Sequence, residues 1–579
     1  MYPDSAGSRL IARTITSMPH LSRRIALGLL FSITALPAVA RQPVHARHGM
    51  VVARETHATD AGEAVLEAGG NAIDAAVAVA FALAVTHPSA GNIGGGGFML
   101  IHLADGRSTF IDFRERAPAA ATRDMYLDPE TGKPTNDSVL GYRASGIPGT
   151  VLGMEYAHTK YGKRPWKELV EPAVRLARDG FPLSYGLSQS LRSQTVTAKL
   201  AQFPESKRIF LKDGTLYDFN EVFKQPELAA TLGRIRDDGA KDFYEGETAK
   251  QLVADMAAHA GLITLEDLKD YKVIERKPIE GSYKGYGIIT SPPPSSGGVG
   301  ILQMLGVLEG TDYAKTGAGS ARALHFEAEA MRRYFADRAE LLGDPDFVKV
   351  PLAGLLNPAY ITKLRQSIDP EKATPSADIH AGEMSVYESP QTTHFSIVDE
   401  MGNAVSVTYT LNNGFGSGVT AAGLGFLLND EMDDFAAKPG EPNSFGLVQG
   451  EANAISPGKT PLSSMTPTIV TKDGKLYLVL GSPGGPTIIN SVLQVILNVI
   501  DFGMNAQQAV DQPRIHHQWM PDNLRVENTI SPDTIDLLKQ RGHDVRLVNA
   551  MGEVAAIRLD GQWIEGAPDG RVEATAKGY

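Results

Sequence analysis

Thr392 lies in the segment QTTHFSIVD (391–399), where polar and apolar residues begin to alternate. A threonine at the start of a chain would carry both a hydroxyl nucleophile and a free α-amino group. Such an amine titrates at about pH 7.7–8.0, so it is partly neutral at working pH and can take the proton of its own hydroxyl. Cleavage between Gln391 and Thr392 would therefore turn a strand residue into a nucleophile with its own base.

Three other segments have residue types that suit chemistry. GSPGG (481–485) precedes a predicted helix, where glycine N–H groups can stabilise an oxyanion, although such loops are also common tight turns. The acidic cluster NDEMDDF (429–435) could bind calcium or an ammonium group, but the spacing of a calcium loop is missing. His516 and His517 have neither the HExxH spacing nor a cysteine partner, so we expect no metal site.

The composition is that of a globular protein with a large core. The chain has 579 residues, 42% of them hydrophobic and 21% charged, which fits several domains or one large layered domain. A net charge of -12 gives little reason to expect nucleic acid or an anionic membrane as partner. The absence of cysteine excludes disulfides, thiolate metal sites and cysteine nucleophiles.

Residues 1–40 are typical of a secretory signal peptide. Arg23 and Arg24 precede an apolar run, residues 25–39, that ends in an Ala-x-Ala pattern before Arg41. The run is about 15 residues long, which is short for a membrane span. An uncleaved anchor is the alternative. We expect the mature protein to begin near Arg41, to be exported to the periplasm or the medium, and to have no membrane segment after signal removal.

The hydrophobic patterns predict the elements that carry these segments. Residues 393–398 and 404–411 form a predicted hairpin, as do 466–471 and 475–480. An apolar helix is predicted for 487–502. Hairpins covered by helices favour a layered α+β core.

Three further patterns precede the segment that contains Thr392. Residues 72–85 predict a helix buried against a sheet, with a start near Thr59 or Asp60. The adjacent glycines 94–97 favour a close approach of the backbone to another strand or to a ligand. Residues 321–342 predict an amphipathic, highly charged helix.

In their order along the chain, these motifs resemble the γ-glutamyltransferases (γ-glutamyltranspeptidases), a family of N-terminal-nucleophile hydrolases. The resemblance runs from residue 56 to the end of the chain. It is densest in the segments DFRERAP (112–118), QTTHFSIVD (391–399), NDEMDDF (429–435), PLSSMTPTIV (461–470) and GSPGG (481–485).

The resemblance implies a four-layer αββα sandwich and a precursor that cuts itself between Gln391 and Thr392. The products would be a large subunit, residues 41–391, and a small subunit, residues 392–579, that stay together as a heterodimer. Thr392 would then attack the γ-amide of glutathione or a related γ-glutamyl compound. The resulting ester would pass to water or to the amine of an amino acid or dipeptide acceptor, without cofactor or metal.

The resemblance also assigns roles to residues that match the family's motifs. Arg114 would hold the α-carboxylate of the γ-glutamyl group, since its planar fork suits bidentate pairing. Ser463 and Ser464 would donate hydroxyl hydrogen bonds to the same carboxylate.

The remaining matched positions serve the α-ammonium group and the nucleophile. Asn412, Glu431 and Asp434 would accept the three N–H bonds of the ammonium. Gly484 and Gly485 would form the oxyanion hole, and Thr410 would orient Thr392.

Two other classes remain open at this point. Cephalosporin and glutaryl acylases share the N-terminal-nucleophile logic, but their acyl groups lack an α-ammonium. The acidic residues Glu431 and Asp434, and a segment at 439–446 that resembles the family's lid loop, favour a γ-glutamyl substrate. The third class is an exported solute-binding protein that uses the pocket without cleavage.

A denaturing gel of the purified protein separates the enzymes from the binding protein. Self-processing predicts two unequal bands, one for residues 41–391 and one for 392–579. A single band at nearly the full chain mass would favour the binding protein.

Overall fold

The computed structural model describes residues 41–379, 392–441, 443, 447 and 449–579. Residues 1–40, with the predicted signal peptide, and Gln391 at the predicted cleavage site lie outside these ranges. The chain from Pro43 to Tyr579 forms one compact unit. Within the described ranges, no helix has the length and apolarity needed to cross a membrane.

The described strands alternate with helices along the whole unit. In chain order they are β1 (Val44–Ala46), β2 (Met50–Ala53), β3 (Gly96–His102), β4 (Ser108–Phe113), β5 (Phe181–Pro182), β6 (Val222–Phe223), β7 (Ile274–Arg276), β8 (Ile279–Tyr283), β9 (Tyr286–Thr290), β10 (Thr393–Val398), β11 (Ala404–Thr410), β12 (Thr468–Lys472), β13 (Lys475–Gly481), β14 (Ile515–His516), β15 (Leu524–Glu527), β16 (Val545–Val548), β17 (Ala555–Asp560), β18 (Trp563–Ala567) and β19 (Thr575–Gly578).

The described α-helices are numbered in the same way. They are α1 (Thr56–Glu67), α2 (Ala72–Thr86), α3 (Thr150–Tyr161), α4 (Trp166–Asp179), α5 (Tyr185–Arg192), α6 (Gln194–Leu200), α7 (Pro204–Phe210), α8 (Pro226–Asp238), α9 (Ala240–Glu245), α10 (Glu247–Ala258), α11 (Leu265–Asp270), α12 (Gly297–Leu308), α13 (Ala321–Leu341), α14 (Leu352–Leu355), α15 (Pro358–Gln366), α16 (Thr487–Ile500), α17 (Ala506–Asp511) and α18 (Pro532–Gln540).

Two seven-stranded sheets form the centre of the molecule. One has the order β1-β18-β17-β13-β12-β9-β8 and the other β19-β2-β10-β11-β3-β4-β7. The sheets pack face to face through β10, β11, β13 and β17. Helices α1, α2 and α3 cover the second sheet, and α12 and α16 cover the first. The predicted four-layer αββα sandwich is confirmed.

Alternation along β3 divides the apolar side chains between two layers of the core. Phe98 and Leu100 belong to the cluster that fills the space between the sheets and reaches the helices of the first sheet. Met99 and Ile101 belong to the cluster under α1 to α4. Successive side chains of a strand point to opposite faces, so a central strand of a four-layer fold has two buried faces.

The predicted hairpins and helices are present, with one wrong helix start. β10 pairs with β11, and the two-residue turn at Asp473 and Gly474, both with positive φ, joins β12 to β13. The buried helix α2 begins after Asn71, whose side chain accepts from Asp74 N in a capping box. Thr59 and Asp60 instead lie inside α1, since Gly69 and Gly70 separate the two helices.

The glycine run at 94–97 marks a close approach between strands, one of the two predicted uses. A Cβ on Gly97 would lie 2.4 Å from the carbonyl oxygen of Thr408 and 2.5 Å from Tyr409 Cα. A Cβ on Gly95 would lie 2.0 Å from the carbonyl oxygen of Thr410. The run therefore lets β3 lie against β11 at the end where Thr410 is located.

Replacing Gly97 with alanine should destabilise the protein, because the new methyl group meets backbone atoms that cannot turn away. We expect a loss of about 1–3 kcal/mol or more, seen as a lower midpoint of thermal unfolding at a fixed scan rate. Gly233→Ala is the matched control: apart from its chain neighbours and the backbone of its own helix, nothing lies within 4 Å of its Cβ position in α8. Alanine is also more favourable than glycine inside a helix, by about 1 kcal/mol. Equal midpoints for the two variants would contradict this account.

Candidate functional site

Nearly all the predicted site residues line a small cavity of about 20 Å³. Its volume holds about one water molecule. The predicted residues that line it are Arg114, Thr392, Thr410, Asn412, Glu431, Asp434, Ser463, Ser464 and Gly485. Gly484 lies beside Thr392 in the wall of a second, larger cleft of about 600 Å³. Thr392 is the predicted residue that borders both spaces.

Strand pairing brings the nucleophile candidate and Arg114 to one end of the second sheet. Thr392 directly precedes β10, and Thr393 pairs with Tyr409 on β11. Thr410, the last residue of β11, pairs with Gly96 of β3, whose neighbour Gly97 pairs with Phe113 on β4. Arg114 follows β4 directly, so it reaches the same end of the sheet.

Arg114 is the electrostatic centre of the small cavity. Its guanidinium donates to the carboxylates of Glu431 and Asp434, and one of its nitrogens lies 3.7 Å from Glu115. The side chains of Arg114, Glu115 and Glu431 are each 1% exposed. A charge buried to this degree is costly unless it is paired, so each acid needs the arginine.

Three carboxyl groups nevertheless face a single guanidinium. Burial raises the pKa of Glu115 to about 7, and burial, only partly offset by Arg114, raises the pKa of Glu431 well above its ordinary value. Burial alone would lower the pKa of Arg114, but Glu431 and Asp434 outweigh it and the pKa is raised. Within the described residues, both oxygens of Glu115 and Oε2 of Glu431 have no hydrogen-bond donor. The cavity is therefore short of positive charge.

The loop after β11 fixes the orientation of Asn412. Its backbone N–H donates to Thr410 Oγ1 at 2.8 Å, and its φ is +76°. Its side-chain N–H donates to the carbonyl of Asp430 at 2.9 Å, so its amide oxygen remains as the acceptor. Asn413 bonds to the Asp430 carboxylate with both its backbone and side-chain N–H groups, which holds the loop in place.

Ser463 and Ser464 are held by the loop before α12. The Ser463 carbonyl accepts from the N–H and the hydroxyl of Ser296, both at 2.7 Å. Ser464 Oγ accepts from the guanidinium of Arg338 at 3.2 Å, and Arg338 Nε donates to Ser296 Oγ at 3.0 Å. Arg338 is 1% exposed and lines the small cavity.

Gly484 and Gly485 form the turn that leads into α16. Both have positive φ, +128° and +54°. Their carbonyls accept from the N–H groups of Thr487 and Ile488 at 3.1 Å. Within the described chain neither glycine N–H has an acceptor, so both can serve a developing oxyanion.

His394, two residues after Thr392, does not serve as a base. Its ring nitrogens bond to the hydroxyls of Thr408 at 2.8 Å and Ser396 at 3.0 Å. Burial lowers the pKa of His394 to about 3. The ring packs against Gly481, where a Cβ would lie 2.3 Å from it. This histidine is a structural link between the two sheets.

The lid segment at 439–446 is described only in part. Residues 442, 444–446 and 448, including Phe445, lie outside the described ranges. Leu447, which follows the segment, lines the small cavity.

Two site residues were not predicted from the sequence. Glu115 follows Arg114 directly in DFRERAP, so its position in that motif was the available signal. Arg338 lies on α13, where its charge is typical of the exposed face of an amphipathic helix. In the structure α13 is buried from Ala323 to Ala339, charged residues included.

The His516 and His517 pair is also structural. His516 bonds to Asn490 and Gln518, at 2.7 and 2.8 Å. Within the described ranges, histidine and acidic side chains do not gather into a group that could hold a metal ion.

The Glu115→Gln variant tests the buried carboxyl cluster. The folded-state pKa of Glu115, about 7, is above its ordinary value of 4.5, so its stabilising contribution is fully present below about pH 4.5 and is lost as the pH rises through 7. We expect a smaller loss of unfolding free energy between pH 5 and 8 in the variant, by roughly 3 kcal/mol at most. Glu130→Gln, at an exposed position, should follow the parent protein; identical curves for all three proteins would contradict the cluster.

Comparisons with known proteins agree with this geometry. A glutathione hydrolase proenzyme of Escherichia coli (strain K12) is 49% identical, over 97% of this chain and 100% of its own. A cephalosporin acylase from Bacillus halodurans superposes with a TM-score of 0.82 at 27% identity, over 94% of this chain and 98% of its own. A γ-glutamyltranspeptidase chain of Helicobacter pylori gives a TM-score of 0.55 at 45% identity, over 57% of this chain and 96% of its own. The family model for γ-glutamyltranspeptidase matches residues 58–579, and the chain belongs to that family.

Proposed function

We propose that this protein is an exported, self-processing γ-glutamyltransferase that also hydrolyses glutathione. One observation carries the proposal: Arg114, bonded to Glu431 and Asp434 and 3.7 Å from Glu115, lines the same small cavity as Thr392. A γ-glutamyl group brings one α-carboxylate and one α-ammonium. Its carboxylate matches the arginine, and its ammonium supplies the positive charge that the cavity is short of.

Donor binding in this proposal is an exchange of ion pairs. In the absence of substrate, Glu431 and Asp434 pair with Arg114. The substrate carboxylate takes their place on Arg114, assisted by the hydroxyls of Ser463 and Ser464. The released carboxylates, with the amide oxygen of Asn412, then accept the three N–H bonds of the ammonium. The incoming ammonium favours the ionised form of Glu431, and each buried charge has a partner of opposite sign before and after the exchange.

The acyl transfer uses Thr392 as nucleophile and base. The Thr392 hydroxyl attacks the γ-carbonyl carbon, and its proton passes to the α-amino group of the same residue. The N–H groups of Gly484 and Gly485 stabilise the oxyanion. The C–N bond then breaks, the leaving amine takes the proton, and a γ-glutamyl ester of Thr392 remains. Water or an acceptor amine attacks this ester and restores the hydroxyl.

The same residue performs the processing step in the precursor. Thr392 Oγ attacks the Gln391 carbonyl carbon, the Gln391–Thr392 C–N bond breaks, and an ester forms between the two residues. Hydrolysis of this ester leaves a carboxylate on Gln391 and a free amine on Thr392. Thr410, which lines the same cavity, orients the threonine. The products are the large subunit, 41–391, and the small subunit, 392–579, which act as a heterodimer after removal of residues 1–40 on export.

The acylase alternative is disfavoured by the charge of the site. An acyl group without an ammonium would leave Glu115, Glu431 and Asp434 around a guanidinium that the acyl carboxylate already occupies. A buried hydrogen bond to a charged group is worth about 1.5–3 kcal/mol, so the missing ammonium costs at least tenfold in affinity.

Asp434→Asn tests the substrate class. The parent should turn over γ-glutamyl-p-nitroanilide at least tenfold better, in kcat/KM, than glutaryl-p-nitroanilide. The variant should lose about 10- to 100-fold on the γ-glutamyl substrate and much less on the glutaryl substrate, because the latter has no ammonium. Initial rates of p-nitroaniline release measure both.

Two further variants serve as controls for the Asp434→Asn result. Thr392→Ala should abolish turnover of both substrates and leave a single band on a denaturing gel. Asp124→Asn, at an exposed position, should behave as the parent does. Equal turnover of the two substrates by the parent would contradict the γ-glutamyl assignment.

A further inference from the structure

The larger cleft begins on the other side of Thr392 from the small cavity. Thr392, Pro483 and Gly484 line the cleft, whereas Gly485 lines the small cavity. The turn formed by Gly484 and Gly485 therefore lies between the small cavity and the cleft. With the γ-glutamyl group in the small cavity, the amine that leaves or attacks the γ-carbonyl must occupy the cleft. Its volume of about 600 Å³ is within the range of small-molecule sites.

Two exposed aromatic side chains line this cleft. Tyr185 is 59% exposed and Phe219 is 55% exposed. Their ring centroids are 6.2 Å apart with an interplanar angle of 78°, an edge-to-face contact. Large aromatic side chains left in water beside a cleft are typical of a binding surface.

The backbone holds the two rings together. Ser184 caps α5 by accepting from Leu187 N, which fixes Tyr185 at the first turn of the helix. Asn220 N donates to the Leu183 carbonyl at 3.0 Å, and Leu183 N donates to the Glu221 carbonyl at 2.9 Å. These bonds tie the segment before Tyr185 to the segment after Phe219. Backbone hydrogen bonds thus hold the aromatic pair in place at the edge of the cleft.

The cleft also contains a cation suited to a carboxylate. Arg54 lines it and pairs with Glu553 through Nε at 2.8 Å, and the two side chains are 20% and 30% exposed. Arg571, the other arginine of the lining, is already bonded to Glu527 and to Asp569. Within the described part of the chain, Arg54 has one acidic partner whereas Arg571 has two, so Arg54 is the better partner for the α-carboxylate of an amino acid.

We propose that this cleft binds the acceptor and that Tyr185 and Phe219 select amino acids and dipeptides with an aromatic side chain. This inference rests on the proposed function. The acceptor's neutral amine attacks the γ-glutamyl ester carbon, a C–N bond forms, and the bond to Thr392 Oγ breaks. The proton of the amine goes to Thr392 through its α-amino group. Arg54 holds the acceptor carboxylate, and the aromatic ring of the acceptor's side chain stacks against Tyr185 and Phe219.

The test compares L-phenylalanine with glycine as acceptor, with γ-glutamyl-p-nitroanilide as donor and the γ-glutamyl products quantified by chromatography. We expect the parent to prefer phenylalanine at least tenfold in acceptor kcat/KM. Tyr185→Ala and Phe219→Ala should each reduce that preference about threefold or more, and the double variant should nearly remove it. Tyr185→Phe, which keeps the ring, should keep the preference.

Phe347→Ala is the matched control, since Phe347 is 47% exposed and does not line the cleft. It should leave the acceptor preference at the parent value. A double variant with the full preference for phenylalanine would overturn the assignment of the aromatic pair, while donor hydrolysis without acceptor would still support the proposed function. A parent that does not hydrolyse the donor would overturn both.

Discussion

The buried guanidinium of Arg114 is the interaction on which the site depends. It is the common partner of Glu431 and Asp434, which come from a short 3-10 helix more than 300 residues further along the chain. Burying these groups separately would be prohibitive. Together they define a small, charged space, and the nucleophile candidate lies at its border. Electrostatics then selects the substrate. Only a ligand with both a carboxylate and an ammonium can replace the ion pairs of Arg114 with Glu431 and Asp434 and leave no buried charge unpaired.

Most of the strands and helices around this interaction could be predicted from the sequence. The period-2 alternation at 393–398 and 404–411 predicted the central hairpin, and the turn residues Asp473 and Gly474 predicted the second one. The glycine run predicted a close backbone approach, because glycine alone fits where a Cβ would meet another strand. The start of α2 was predicted wrongly, since two capping signals within a dozen residues compete and local rules do not choose between them.

The burial and pairing of the charged groups of the site were harder to predict from the sequence. Helix α13 was interpreted as a charged amphipathic helix, yet Glu329, Arg332 and Arg333 are buried and pair with one another. Arg338, on the same helix, meets Ser464 across 126 residues of sequence. Charges are normally at the surface, so a sequence gives no sign of burial when the compensating partner is distant. The family motifs located Arg114 and the acids, but not their pairing with one another.

The interleaving of the sheets has a further consequence for a processed molecule. Strands β10 and β11, which follow residue 392, lie between β2 and β3, which precede it. A cut at residue 391 therefore removes no layer and leaves the native fold intact. It does change folding from a unimolecular to a bimolecular reaction. The precursor folds as one chain at a rate independent of concentration, whereas two separated subunits must first meet, and their assembly slows on dilution. At high dilution, the lifetime of a processed molecule is then set by its unfolding rate and not by an equilibrium with the unfolded subunits.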